Sequence, residues 1–153
     1  MEVTCISVQN PYSYQLCAGI KDVENRSWNT KFRGRLYIHS CGDSLPYVPE
    51  EEWPKNIDKT PYGALVDKFA KLQCEFYEKK GINLDEGLPE NPNAWFCQTS
   101  AIIGYVDIVD VVRGFKSPFA IRDQYHWIVK NSVLFEKPIA GVKGKLSLWR
   151  YDL

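Results

Sequence analysis

A chain of 153 residues that is 44% hydrophobic and 14% aromatic has apolar material for one core, so a single domain spanning 1–153 is expected. Its 19 Lys and Arg balance 19 Asp and Glu, and a net charge of zero argues against a protein that grips nucleic acid by bulk electrostatics. There is no stretch of about 18 apolar residues and no leader with a cleavage pattern, which points to a cytoplasmic protein without a membrane segment.

Thr4 to Val8 reads as a short strand, rich in β-branched residues and stopped by the Asn10-Pro11 turn signal. Pro11 then opens a short helix, with Asn10 as cap and Leu16 and Ala18 turned inward, and Gly19 ends it. After a charged segment comes a strand from Gly34 to Ser40, with Leu36, Ile38 and Ser40 on one face and Arg35, Tyr37 and His39 on the other. His39 has no neighbour in sequence to orient it as a catalyst. Pro46, Pro49 and Pro54 beside Glu50-Glu51-Glu52 make 43–59 an exposed loop. Thr60-Pro61 starts the strongest helix, where Tyr62, Leu65, Val66, Phe69, Leu72 and Phe76 recur at three- and four-residue steps before Gly81. The stretch 81–95, with Gly87, Pro89 and Pro92, is a second loop placed to act as a lid.

Ser100 to Val112 is a long strand, apolar on both faces, with Ile102, Gly104, Val106 and Ile108 alternating against Ile103, Tyr105, Asp107 and Val109. Gly104 permits a bulge in it. A helical or irregular piece at 118–123 precedes closing strands at Trp127 to Leu134 and Leu146 to Tyr151. The sum is an α+β protein: a small mixed β-barrel of about five to six strands with two or three peripheral helices. A helical and loop insertion at about 43–97 interrupts it.

Five cysteines, Cys5, Cys17, Cys41, Cys74 and Cys97, are odd in number, contain no Cys-x-x-Cys pair and accompany two histidines, so neither a zinc site nor a disulfide framework is expected. Cys5 and Cys17 sit in apolar surroundings, whereas Cys41 is reactive only if a base stands beside it. No ligand cluster or phosphate-binding glycine loop is visible, and no cofactor is implied. The charges are unevenly spread: residues 1–40 carry five Lys and Arg and three acids, 41–99 six and eleven, and 100–153 eight and five. If the ends fold together, Lys21, Arg26, Lys31, Arg33, Arg35, Lys143, Lys145 and Arg150 make one basic face and the middle an acidic back.

The segment Gly19-Ile20-Lys21-Asp22-Val23-Glu24-Asn25-Arg26-Ser27-Trp28 is too polar and broken for a simple core element. As a strand it turns Asp22, Glu24 and Arg26 one way and Lys21, Val23 and Asn25 the other. Gly-x-Lys-x-x-Glu-x-Arg, preceded by Asn-Pro-Tyr and followed by Trp28 and Gly34 to His39, resembles the ASCH domain, a branch of the PUA-like superfamily. Tyr125-His126-Trp127, Lys137-Pro138-Ile139 and Gly144-Lys145-Leu146 look like the closing strands of that domain.

The resemblance implies recognition of RNA, single-stranded nucleic acid or a modified nucleobase in a cleft beside the motif. Trp28, Tyr125 and Trp127 would stack on a base, Glu24 would accept from an exocyclic amine, and Lys21 and Arg26 would take phosphate or carbonyl oxygens, with Asn10, His126 and Lys145 as further contacts. It also implies an alternative, hydrolysis of an N4-acylcytidine or of RNA, with Lys21 as the catalytic residue. The hydroxyl residue that the amidohydrolase pattern has three positions later is here Glu24, and an acid there favours the charged ammonium. Glu24 acting on water, or a hydroxyl from Ser27, Ser40 or Thr99, would then have to serve. A third reading is a non-catalytic interaction module, marked by an exposed apolar patch without a concave pocket and by wholly buried Trp28 and Trp127.

Overall fold

The computed structural model describes residues 1–41, 61–83 and 99–153, and the two expected loops therefore fall largely outside the described residues. Six strands, β1 (Glu2–Gln9), β2 (Val23–Arg26), β3 (Gly34–Cys41), β4 (Ala101–Val112), β5 (Tyr125–Ile139) and β6 (Leu148–Asp152), form one mixed sheet in the order β2-β5-β4-β3-β1-β6. Only β1 and β3 run parallel, Cys5 opposite Tyr37 through Gln9 opposite Cys41. Helix α1 (Tyr12–Cys17) and helix α2 (Pro61–Lys79) complete the α+β architecture.

No ladder joins β2 to β6 among the described residues, so the expected barrel is a curled but open sheet. β6 pairs with β1 only over Glu2 to Ile6. Just beyond, the Arg26 guanidinium from β2 donates through Nη2 to the Ser7 carbonyl at 2.9 Å, so a side chain links β2 to β1 where no strand ladder does.

Curling is built into β4. Ala101 and Ile103 belong to the same buried cluster as Val106 and Ile108, whereas Ile102 belongs to the cluster on the opposite face. The inward parity thus changes from odd to even, and the simple alternation expected for this strand fails at Gly104. Pairing with β5 shifts register between Ile102 and Gly104 and twice more along the strand. A Cβ at Gly104 would stand 2.0 Å from the Val133 carbonyl oxygen, so only glycine lets the two backbones approach this closely.

The main core gathers Ile6, Val8, Leu16, Leu36, Ile38, Ile103, Val106, Ile108 and Trp127. A second cluster places Tyr14 and Val23 against Phe69 and Tyr77 of α2. Among the described side chains of α2 the buried ones are Phe69, Gln73 and Tyr77, spaced four apart, and Leu72 and Phe76 flank them. Helix α1 buries Ser13 through Cys17, and Pro11 rather than Asn10 stands at its N-cap, with no side-chain cap hydrogen bond. Asn10 is buried instead, its N–H donating to the Cys41 carbonyl at 3.0 Å. No helix of the described residues is long and apolar enough to cross a membrane.

Candidate functional site

Strand β2 is where sequence and geometry meet. It pairs antiparallel with β5, Glu24 opposite Trp127, Asn25 opposite His126 and Arg26 opposite Tyr125, so the two motif segments from opposite ends of the chain are hydrogen-bonded neighbours. Alternation then sorts the side chains. Asn25 turns away, its amide nitrogen donating to the Phe119 carbonyl at 3.0 Å and its amide oxygen accepting from Ile121 N–H at 2.8 Å. Glu24 and Arg26 share the other face. Lys21 departs from the strand reading: it precedes β2, its N–H is held by the Gln15 carbonyl at 2.9 Å, and its ammonium joins Glu24 rather than Val23.

Lys21 Nζ lies 3.2 Å from Glu24 Oε1 and 5.6 Å from the ring centres of both Tyr12 and Phe69, with only 2% of the residue exposed. An ammonium faced by two rings and a carboxylate is stabilised by the ring quadrupoles as well as by the ion pair. Arg26 Nη2 lies 3.0 Å from Glu24 Oε2, and the Asn25 N–H donates to Oε1 at 3.1 Å. Burial by itself would raise the Glu24 carboxyl, but the Lys21 and Arg26 charges and their hydrogen bonds outweigh it and hold the group below the ordinary carboxylate range. Two cations and one anion leave this triad with a net charge of +1.

The triad borders an open hollow of about 370 Å³, whose wall includes Ser7, Gln9, Tyr12, Glu24, Arg26 and Cys41. Lys21 lies behind Glu24 and does not line it. Arg26 Nε is buried and has no partner among the described residues. Burial, aided by the Glu24 charge and opposed by that of Arg26, raises the Cys41 thiol, so Cys41 is no activated nucleophile. Among the described residues no three His, Cys, Asp or Glu side chains converge as a metal site would require.

Other expected site residues sit elsewhere. Trp127 is fully buried in the main core and offers no face for stacking; Trp28 is half-buried and packs edge-on against it, with ring centres 4.8 Å apart. Tyr125 is half-buried, its ring facing the Arg113 guanidinium at 4.8 Å. His126 is buried, Nδ1 accepting from Phe115 N–H at 3.0 Å and Nε2 donating to the Ile121 carbonyl at 2.7 Å, which makes it a clasp for the segment before β5. Ser40 is fully buried, its Oγ 2.9 Å from Ser13 Oγ, and is absent from the wall of the hollow. Asn10 is 1% exposed, and neither polar atom of its side-chain amide has a partner among the described residues. Lys145 is exposed on the rim of a neighbouring hollow.

The single basic face also dissolves. Arg33 pairs with Asp110 at 3.5 Å, Arg35 with Asp107 at 3.7 Å, and Arg150 with Glu2 at 3.5 Å. Sequence reasoning missed Ser7, Gln9 and Cys41 as wall residues, because β1 and β3 read only as core strands. It also missed Tyr12 and Phe69 as a cage for Lys21; the Asn-Pro-Tyr turn flagged Tyr12, whereas nothing local links Phe69 to position 21.

A family model of the ASCH domain matches residues 6–139, and the chain belongs to the ASCH domain family. The chain is also similar to Activating signal cointegrator 1 of Homo sapiens and of Mus musculus, 27% identical to each over 157 residues and 97% of this chain. It spans 22% of the length of these curated relatives.

Proposed function

We propose that this domain binds RNA, single-stranded nucleic acid or a modified nucleobase, with one base held in the hollow beside Glu24 and Arg26. The observation that carries this reading is the unfinished hydrogen bonding of that wall. A carboxylate offers about four lone-pair sites, and Glu24 uses two on Oε1 and one on Oε2. Oε2 retains an acceptor site, and the unpartnered Arg26 Nε is a donor close by. A base edge with an exocyclic amine next to a ring nitrogen or carbonyl presents the complementary pair. The Tyr12 ring supplies an apolar wall, and the size of the hollow suits a small heterocycle.

The same geometry weighs against hydrolysis. Lys21 is enclosed behind Glu24, the two ion pairs that hold the Glu24 carboxyl below its ordinary range also weaken it as a base toward water, and Ser40 lies away from the hollow. A protein-interaction module is disfavoured by the concave wall and by Trp28, which is half-buried rather than wholly enclosed.

Titration of the four ribonucleosides and of short single-stranded RNA, followed by amide chemical shifts, tests the proposal. Shifts should concentrate at Ser7, Gln9, Asn25 and Arg26, and Arg26→Ala should weaken binding about tenfold or more. Shifts scattered over the surface, or affinity untouched by that substitution, would sink it. Turnover of an N4-acylcytidine abolished by Lys21→Ala would establish the hydrolytic reading instead.

A further inference from the structure

Ser7 stands between two hollows. Its carbonyl accepts from Arg26, and its hydroxyl lies 3.1 Å from His39 Nδ1. His39 Nε2 is 2.6 Å from the Val142 carbonyl oxygen. A carbonyl only accepts, so Nε2 carries the imidazole proton, Nδ1 is the acceptor, and the Ser7 hydroxyl donates to it. Both ring nitrogens of His39 are therefore occupied: Nδ1 ties the ring to Ser7 on β1, and Nε2 anchors the segment Val142-Lys143-Gly144-Lys145 through the Val142 carbonyl. Two further restraints act on it. Val142 N–H donates to the Ser100 carbonyl at 2.8 Å. Gly144 packs so tightly on the Ser7–His39 pair that a Cβ there would stand 2.7 Å from Ser7 Oγ and 2.8 Å from His39 Cε1.

Lys143 and Lys145 thus flank a pinned point. Both line a second hollow of about 390 Å³, which shares Ser7, at the Arg26 contact, and Cys41 with the first. Among the described residues its wall carries two ammonium groups and no carboxylate. Lys143 and Lys145 form no ion pair among the described residues, so neither charge on this wall is neutralised by a neighbouring acid. Lys145 Nζ rests 5.9 Å from the centre of the Trp149 ring, and Lys145 remains exposed. A concave wall lined by one sign of charge concentrates counter-charge, and here the backbone that presents the charge is held in place before any ligand arrives.

We propose that the second hollow seats the phosphate of a nucleotide whose base occupies the first, so that the site takes nucleotides in preference to nucleosides. The proposal rests on the base-binding reading above. Lys143 and Lys145 contact the phosphate, while Ser7, His39 and Gly144 are positioning residues that hold the lysines relative to Arg26.

The test measures affinities of the four ribonucleosides and their 3′- and 5′-monophosphates for the intact protein and for the Lys143→Ala/Lys145→Ala double variant. At least one monophosphate should bind roughly tenfold more tightly than its nucleoside, with a steeper salt dependence. The double variant should lose that advantage and keep its nucleoside affinity, which also certifies its fold. Gly144→Ala should reduce the advantage with both lysines still present. Equal affinities for nucleoside and monophosphate, or an advantage that survives in the double variant, would overturn the phosphate seat and leave the base hollow standing. A lysine-dependent monophosphate affinity indifferent to Arg26→Ala would do the reverse, and absence of all binding would overturn both.

Discussion

Two sets of ion pairs on one sheet have the same chemistry and opposite settings. Arg33 with Asp110 and Arg35 with Asp107 link β4 to the residues at and just before the start of β3, at 3.5 and 3.7 Å, and are exposed apart from the half-buried Asp107. Lys21, Glu24 and Arg26 are withdrawn from water, the first almost wholly, and Glu24 accepts three donors. Exposed pairs are screened and lose side-chain entropy for modest Coulomb energy, whereas removing one member of a buried set strands charge in a poorly solvating place. The comparison teaches where charge is decorative in this domain and where the fold depends on it.

The sharpest way to break the contrast is Glu24→Ala. With the carboxylate gone, the Lys21 ammonium is buried with no anion and Arg26 loses a contact, and unfolding in urea should show a loss of about 3 to 5 kcal/mol. Arg26→Ala should come next, at about 1 to 3 kcal/mol by the same measurement, because it releases both Glu24 Oε2 and the Ser7 carbonyl that tethers β1. Arg26→Lys should recover only part of this, since one ammonium cannot reproduce the guanidinium fork.

Acid sharpens the comparison further. The folded Glu24 carboxyl lies below its ordinary value of 4.5, so its contribution is complete above that value and is lost as pH falls through the folded one. The stability gap between the parent protein and Glu24→Gln should therefore be constant near neutrality and narrow as pH drops below about 4.5. A gap that stays constant into strong acid would show that Glu24 is not titrating as argued. Smallest is Arg35→Ala, expected within about 1 kcal/mol and less in high salt. Its guanidinium also lies 4.0 Å from the Tyr105 ring centre, so a loss larger than that would assign the excess to ring stacking.

The two histidines give a second contrast. The sequence makes His126 a candidate contact to nucleic acid and His39 a mixed-face strand residue; in the fold both are buried and spend both ring nitrogens, His126 on backbone 5 and 11 positions away and His39 on partners 32 and 103 positions away. Those partners are Ser7, Val142, Phe115 and Ile121, and the longest separation is 103 positions. Trp127 shows the same limit. The motif marks it as an aromatic near Glu24, which it is by register, but the curl of the sheet puts its ring in the core.

Local pattern alone was enough for the strands and for helix α2, because alternation and three-to-four spacing are written in neighbouring residues. The Gly-x-Lys-x-x-Glu-x-Arg resemblance was enough for the family. Long-range geometry settled the rest. A parity change at Gly104 decided which residues of β4 face inward, an open sheet tethered by Arg26 replaced a closed barrel, and the Arg33, Arg35 and Arg150 pairings dispersed the expected basic face. The physical reason is the range of the forces concerned: backbone preference and periodicity act over a few residues, whereas ion pairing, close backbone approach and concavity depend on which distant segments the curled sheet brings into contact.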